Sequence, residues 1–438
     1  MNFSQNLTRR MPGLTRRWAR SSLANRRSQT AEALRLFIDA NQYLRSREQF
    51  QGARAVRRAL RTLAIPEGSR AGDEVLSAVG LVARRTWDLE ALADDVRGCD
   101  LLRLMALSCG LASLGSFRAS AAVRSVARES LLEMSTRQQP EDNLLYVAAL
   151  TDAGHVAEAR SVLDGLGGSL KPGREVRSLA LACGYSGDWV WRHWTPQPAT
   201  RDLVGGSDVL LVGPAVPLTD LAETATRQSI IATFKYCGSR TAEVPSVRVH
   251  VSILNRHAYP ELHRRFIDKR GAYTMSPCKL LIFKNTSPPS CDLGIPTERL
   301  EARPKLMLSK ANLGLMAVTE ILLAGAGALK VTGFDLWTKP TTAHPGYRFY
   351  SKDNRMHTSG GLDRGSIARS AGIHEPISQF NYLKRLLEFG RIDPDDTLRR
   401  VLATSEQEYA ARLQQLHGFP FAEFDGDGRA ESRDDELG

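Results

Sequence analysis

Apolar residues recur every three or four positions from Ala31 to about Thr200, in a stretch rich in Ala, Leu and Arg and poor in β-branched runs. That period predicts amphipathic helices throughout. Three segments are alike: "REQFQGARAVRRAL", "LGSFRASAAVRSVARESLL" and "AGHVAEARSVLDGL". Each sets a short polar turn before a helix whose alanines permit close helix approach. With Glu48, Gly115, Gly154 and Gly187 as equivalent turn positions, the spacings are 67, 39 and 33 residues. Past "WVWRHWTPQPATRDLVGGSD" the pattern changes. Pro196, Pro198, Gly205 and Gly206 interrupt the chain, and "DVLLVGPAVPLTDL" opens with a compact apolar run, Val209 to Val212, that ends in Gly213-Pro214. Such a run predicts a buried strand feeding a turn. "SIIATFKYCG", "VRVHVSIL", "KLLIFKN" and "ALKVTGFDLW" predict further strands, with helices over "YPELHRRFIDKR" and "ANLGLMAVTEILLAGAG" between them.

Strands alternating with helices imply an α/β fold with a mostly parallel, Rossmann-like sheet covered on both faces, here preceded by an all-α domain. The expected organisation is a basic flexible arm over residues 1–30, a helical domain over 31–200, the α/β domain over 205–418 and an acidic tail over 419–438. Ligands of open parallel sheets lie beyond the carboxyl ends of the strands. That rule places Gly213 to Pro217 and Gly333 to Trp337 at the rim of one cleft. The helical half resembles degenerate tetratricopeptide-like repeats, an irregular helical bundle being the alternative, and either would serve as a scaffold or as a docking surface for a protein partner.

At 438 residues with 42% hydrophobic content, the chain can build two or three domains with substantial cores. No window approaches eighteen uninterrupted apolar residues and the N-terminus lacks a secretory apolar core, so the cytoplasm is the expected compartment. Six cysteines, without a C-x-x-C pair or a zinc-like His cluster, are read as free thiols, and no structural metal is expected. The net charge of +11 is uneven: Arg9, Arg10, Arg16, Arg17, Arg20, Arg26 and Arg27 crowd the first thirty residues, which hold no acid. With Leu14 and Trp18 among them, these arginines form either a peripheral contact with anionic lipid at the inner membrane face or a solvated tail. Nucleic-acid binding is not expected, because the basic residues cluster in the arm and no RNA-reading aromatic motif is present.

The chemistry-bearing stretch is "GIHEPISQFNYLKRLLEFGRI", Gly372 to Ile392. Pro376 suits a first helical turn, Ile377, Phe380, Leu383 and Leu387 form an apolar stripe, and Gly390 ends the helix. His374 therefore sits at a helix N-terminus, whose partial positive charge favours neutral imidazole, the form a general base needs. The other reading of the same position is a local polar cap or a buried, hydrogen-bonded histidine. P-loop, G-x-G-x-x-G, G-x-S-x-G and H-E-x-x-H motifs are all missing, and the D-x-D patterns at Asp393 and Asp425 do not follow an expected strand, which disfavours metal-assisted handling of a diphosphate.

Three segments, in this order, resemble the sialyltransferase family: "VLLVGPA", then "SKANLGLMAVTEILLAGAGALKVTGFDLW", then "HPGYRFY" followed by "HEPISQ". The middle segment resembles that family's short motif, with Asn312 and Gly314 near its nucleotide-contacting start. "HPGYRFY" is similar to its aromatic motif, with Tyr347 and Tyr350 at the core. His374 falls at the position of the family's catalytic histidine, and Gln379 stands where a glutamate is usual. The resemblance covers roughly residues 207 to 392. It departs at Lys235, where an asparagine is usual after an aromatic residue, and in having no cysteine after Cys291.

The resemblance implies a glycosyltransferase-type α/β domain that moves a sugar from a CMP-activated donor to an acceptor hydroxyl with inversion and without a metal, His374 removing the proton. The implied donor contacts are Gly213, Pro214 and Ala215 after the first strand, then Lys235, Asn312, Gly314, Tyr347, Tyr350 and Gln379. Arg348 and Lys352 add cations beside the tyrosines. No bound cofactor is implied, the CMP-sugar being a substrate, and the acceptor would be a glycan or glycolipid of surface polysaccharide synthesis. The alternatives are a transferase using another nucleotide sugar and a non-catalytic helical-repeat protein that binds a ligand or a partner.

Overall fold

The computed structural model describes residues 12–45, 48–79, 89–133, 140–167, 170–213, 229–234, 236, 239–240, 249–255, 258, 262–268, 271, 273–284, 294–338 and 371–418. Pro214, Ala215, Lys235, Tyr347 and Tyr350 lie outside the described residues, as do His257, His344, Arg348, Lys352, His357 and the acidic stretch from Glu423 to Glu436.

The first half is helical: α1 Pro12–Arg45, α2 Gln49–Thr62, α3 Arg70–Ala78, α4 Leu89–Val96, α5 Leu101–Ser113, α6 Phe117–Glu133, α7 Pro140–Ala153, α8 Val156–Leu166, α9 Arg174–Ala182, α10 Asp188–Trp191 and α11 Pro198–Val204. From Pro12 onward the basic segment is part of α1. Neither Gly nor Pro occurs between Leu14 and Arg45, and Ala, Leu and Arg all favour helix. No helix among the described residues is long and apolar enough to cross a membrane.

The turn repeat is real in geometry but shifted in two places. Gly115, Gly154 and Gly184 all adopt positive φ, at 80°, 88° and 64°. The residue after each donates its N–H back to a carbonyl five residues earlier: Ser116 to Leu111, His155 to Leu150 and Tyr185 to Ala180, at 2.8–2.9 Å. This is the Schellman closure that a glycine in the left-handed region permits. Gly184, rather than Gly187, is thus the fourth equivalent position. The first is Ala64 rather than Glu48, with φ 51° and an Ile65 N–H to Leu60 bond of 3.0 Å.

Cα packing divides the chain into two compact units, residues 1–127 with 368–372 and 417–438, and residues 128–367 with 373–416. In the first, Phe37, Leu60, Leu63, Leu92, Leu104, Leu107 and Leu111 are buried in one cluster. A Cβ on Gly110 would overlap the Phe37 ring, so the glycine is what lets α5 approach α1 so closely.

The second unit holds the sheet: β1 Asp208–Val212, β2 Ile230–Phe234, β4 Val251–Leu254, β6 Leu280–Lys284, β7 Thr297–Leu300, β8 Ala328–Thr332 and β9 Asp393–Pro394. The order is β7-β6-β4-β2-β1-β8-β9 and every pairing is parallel. Two short strands, β3 Ser239–Arg240 and β5 Tyr273–Thr274, pair antiparallel apart from it. Five strands fall where compact apolar runs predicted them. The fold is α/β with a parallel sheet after a helical N-terminal region. Asp393-Pro394 forms the edge strand β9, where a missing N–H costs little.

Helix α12, Leu313–Leu323, carries buried residues on most of its circumference, as a helix covered on both sides must. It lies against α9, and α13, Pro376–Glu388, lies against α7 and α9, so those helices belong to the same packed unit as the sheet. Polar ties fix this layer: Tyr382 Oη donates to Ser178 O at 2.9 Å, Lys305 N to Ser178 Oγ at 3.0 Å, and Glu298 receives Ala199 N and Thr200 N at 2.7 and 3.0 Å. Helices α14, Asp396–Leu402, and α15, Glu406–His417, follow β9.

Glu320 of α12 is buried and accepts Glu301 N at 3.0 Å, with Ala302 N on the same oxygen. Burial pushes its carboxyl from 4.5 to about 7 against the pull of those N–H groups. The folded state therefore holds a proton that the unfolded chain releases near pH 4.5, and stability falls as pH rises from there through about 7. Glu320→Gln should remove up to about 3 kcal/mol of that decline. Urea unfolding at pH 5 and pH 8 measures it, and an unchanged difference between the two pH values in the variant would refute it.

Candidate functional site

The strand order reverses at β1: one run of strands proceeds outward from its β2 side and the other from its β8 side. A crevice forms beyond the carboxyl ends at such a switch point. Here Gly213 follows β1 and donates its N–H to Thr332 O of β8 at 2.7 Å. A Cβ on Gly213 would overlap the Gly333 carbonyl, so the closeness of the two strand ends requires glycine. Phe334 lies beside both. Its ring meets Phe234, at the end of β2, edge-on with centroids 5.9 Å apart, and a Cβ on Gly314 would come 2.7 Å from its Cε1.

Gly314 lies in the first turn of α12, and Asn312 caps that helix, its Oδ1 accepting Leu315 N at 2.8 Å. The backbone N of Asn312 donates to Gln379 Oε1 at 3.1 Å, and Gln379 Nε2 reaches Glu375 O at 3.5 Å. Glu375 caps α13, accepting Ile377 N and Ser378 N at 2.9 and 2.8 Å, while its own N–H goes to Ser309 Oγ at 2.8 Å. Two helix N-termini are thereby locked together on the carboxyl side of the sheet.

His374 sits directly before this cap and is half-buried. Its Nδ1 lies 2.9 Å from Lys310 O. A carbonyl can only accept, so Nδ1 carries the hydrogen and Nε2 of the neutral ring keeps its lone pair. Burial is the main force holding the imidazole below its ordinary value; the Lys310 carbonyl opposes it, and the charges of Lys284 and Lys310 add to the downward push. Lys284 ends β6, and burial together with the Lys310 charge lowers its own proton affinity. The neutral base form and a positive field thus coincide.

Of the residues singled out from sequence, Gly213, Gly314, Asn312, Gln379 and His374 fall on one connected chain of packing and hydrogen bonds. Gln379 is fully buried with its amide bonded to backbone groups, and the Asn312 side chain caps its own helix. Sequence reasoning missed Ser309, Lys310, Lys284 and Glu375. The available signals were an acid just before a helix-starting proline and a lysine ending an apolar run.

Asp395 is structural: Oδ2 accepts Thr332 Oγ1 and Gly333 N, both at 2.8 Å, and Oδ1 caps α14 through Leu398 N at 2.8 Å. His250 accepts Ile231 N at 3.0 Å through Nδ1, and His263 pairs with Asp268 at 3.3 Å on the surface. Cys183 and Cys278 are unbridged thiols pushed up to about 11 by burial, which makes them poor nucleophiles. Among the described residues no group of three His, Cys, Asp or Glu side chains is placed to hold a metal ion.

No family profile matches the chain, and no curated protein matches it. Among solved structures, a lysine-to-methionine mutant of the O-GlcNAc transferase of Thermobaculum terrenum is similar at 14% identity, over 88% of this chain and 96% of that one, with a TM-score of 0.17. At that TM-score the likeness carries no argument about fold or function.

Proposed function

We propose that the chain is a glycosyltransferase that moves a sugar from a CMP-activated donor to an acceptor hydroxyl with inversion, His374 acting as general base. One observation carries the reading: His374, on the carboxyl side of a doubly wound sheet, has its Nδ1 hydrogen fixed by Lys310 O and its ring held toward the neutral form. The assignment to a cytidine donor rests on the motifs around Asn312 to Gly314 and His374. In the proposed step Nε2 takes the proton of the acceptor hydroxyl as the acceptor oxygen bonds to the anomeric carbon. The bond from that carbon to the donor phosphate oxygen breaks, and CMP leaves with the electron pair. Lys284 and Lys310 supply positive charge for the departing phosphate. The acceptor is a glycan or glycolipid of surface polysaccharide synthesis.

Calorimetric titration with CMP, CDP, UDP and GDP tests the donor class. CMP should bind at least about tenfold more tightly than the others, a difference of roughly 1.4 kcal/mol. Tighter UDP or GDP binding would keep a transferase and replace its donor, and no nucleotide binding at millimolar concentration would refute the proposal. Because lysines meet the leaving-group charge, turnover should be unchanged by EDTA. Activity that requires added magnesium or manganese would contradict that part.

A further inference from the structure

A groove of about 460 Å³ runs between α14 and α15, lined by Thr338, Thr397, Thr404, Arg400, Arg412 and Glu408 among others. One end of it lies just past the carboxyl ends of β8 and β9. Thr338 belongs to the turn after β8, its N–H bonded to Asp335 O at 2.9 Å, and Thr397 to the first turn after β9. Tyr409, also in the lining, ties α15 to the same turn by donating its hydroxyl to Leu336 O at 2.7 Å. That turn begins at Gly333, the residue that meets Gly213 at the switch point, so the groove and the His374 side of the unit share a structural wall.

The lining has a definite chemistry. Arg400 and Arg412 are exposed; their contacts are to Asp396 O through Nε at 3.2 Å and to Gln415 Oε1 through Nη1 at 2.8 Å, and among the described residues neither meets a carboxylate. Lys384 lies behind the lining, its Nζ 2.8 Å from Thr404 O. Glu408 is the acid among the described lining residues, and its carboxylate already receives Ser405 N at 2.7 Å. The field is net positive. Thr338 and Thr404 donate their hydroxyl hydrogens to Asp335 O and Val401 O at 2.6 and 2.8 Å, which leaves both oxygens as acceptors for a ligand O–H. Val401, half-buried in the lining, supplies apolar surface for the C–H face of a sugar ring. The volume lies in the range of small-ligand sites, and paired guanidinium groups suit a carboxylate.

From this geometry we infer that the groove binds an oligosaccharide carrying sugar carboxylates, and that this is the acceptor; only the word acceptor rests on the transferase reading. The test uses the full chain with two probes of equal length, a hyaluronan tetrasaccharide, which carries glucuronate carboxylates, and neutral chitotetraose, titrated by calorimetry at low salt. The acidic probe should bind at least about tenfold more tightly than the neutral one. Arg400→Gln with Arg412→Gln should weaken it a further ten- to hundredfold with the melting temperature and CMP titration unchanged. Equal binding of the two probes, binding of neither, or wild-type affinity in the double variant would overturn the inference. CMP titrated into the same samples separates the two proposals. Glycan binding without nucleotide binding removes the transferase and keeps the groove, whereas nucleotide binding without glycan binding does the reverse.

Discussion

His374→Ala is expected to lower kcat by about a hundredfold or more, the usual scale for loss of a general base, with CMP affinity and melting temperature nearly unchanged. The ring is half-buried and its described hydrogen bond is to one backbone carbonyl, so its removal leaves the Glu375 cap and the Gln379 bridge in place. The pH profile gives an independent readout. Burial and the nearby lysines hold the imidazole below its ordinary value, so the acid limb of kcat/KM should have its midpoint below about pH 6.5. That limb should vanish in the variant. A structural histidine would show the converse: a fallen melting temperature, and activity that falls only in proportion to the folded fraction. Undiminished turnover in a folded His374→Ala protein would remove the base from the proposal.

Gly213→Val is expected to cost about 3 kcal/mol or more in unfolding free energy and to weaken CMP binding by at least about tenfold. The added Cβ would run into the Gly333 carbonyl and against the Phe334 ring, and the backbone side of that contact cannot rotate away. The ends of β1 and β8 would have to part, breaking the 2.7 Å bond from Gly213 N to Thr332 O and disturbing the Phe234 and Phe334 pair. Urea denaturation followed by nucleotide titration measures both effects. A variant with the wild-type midpoint and wild-type affinity would mean that the strand ends separate freely and that their closeness has no part in the site.

What could be read from the chain follows from how local each signal is. Strands β1, β2, β4, β6 and β8 were legible because a buried parallel strand is a short apolar run. β7, with only Leu300 of its four residues buried, and the two-residue β9 have no such run. The cadence changes near residue 205 because strands begin there, yet packing divides the chain within α6, since α7 and α9 pack against α13 and α9 also against α12. At the site, the histidine before Glu375-Pro376 was legible from its helix-start context. Its tautomer was not, because the partner is a backbone carbonyl 64 residues away, and every residue type has one. Lys284 and Lys310 escaped for a related reason: a lysine at a strand end or in a loop is commonplace until the fold sets it beside an imidazole. That the Gln379 and Asn312 side chains bond to neighbouring backbone was not legible either, because an amide reads the same in a sequence whether it faces a ligand or a neighbouring backbone.

The position of β1 in the strand order bears on how the protein is made. β1 to β7 are consecutive in the chain and their half of the sheet can assemble as it is synthesised, but β8, which covers the other side of β1, arrives more than a hundred residues later. Until then Val209 to Val212 form an open, wholly apolar edge with unpaired backbone groups, the kind of template on which chains associate wrongly. Loop closure over that distance is slow and comes late. The switch-point crevice comes into existence only when this seam closes, so gain of nucleotide binding during refolding should trail the recovery of helical circular dichroism and report the joining of β8 to β1.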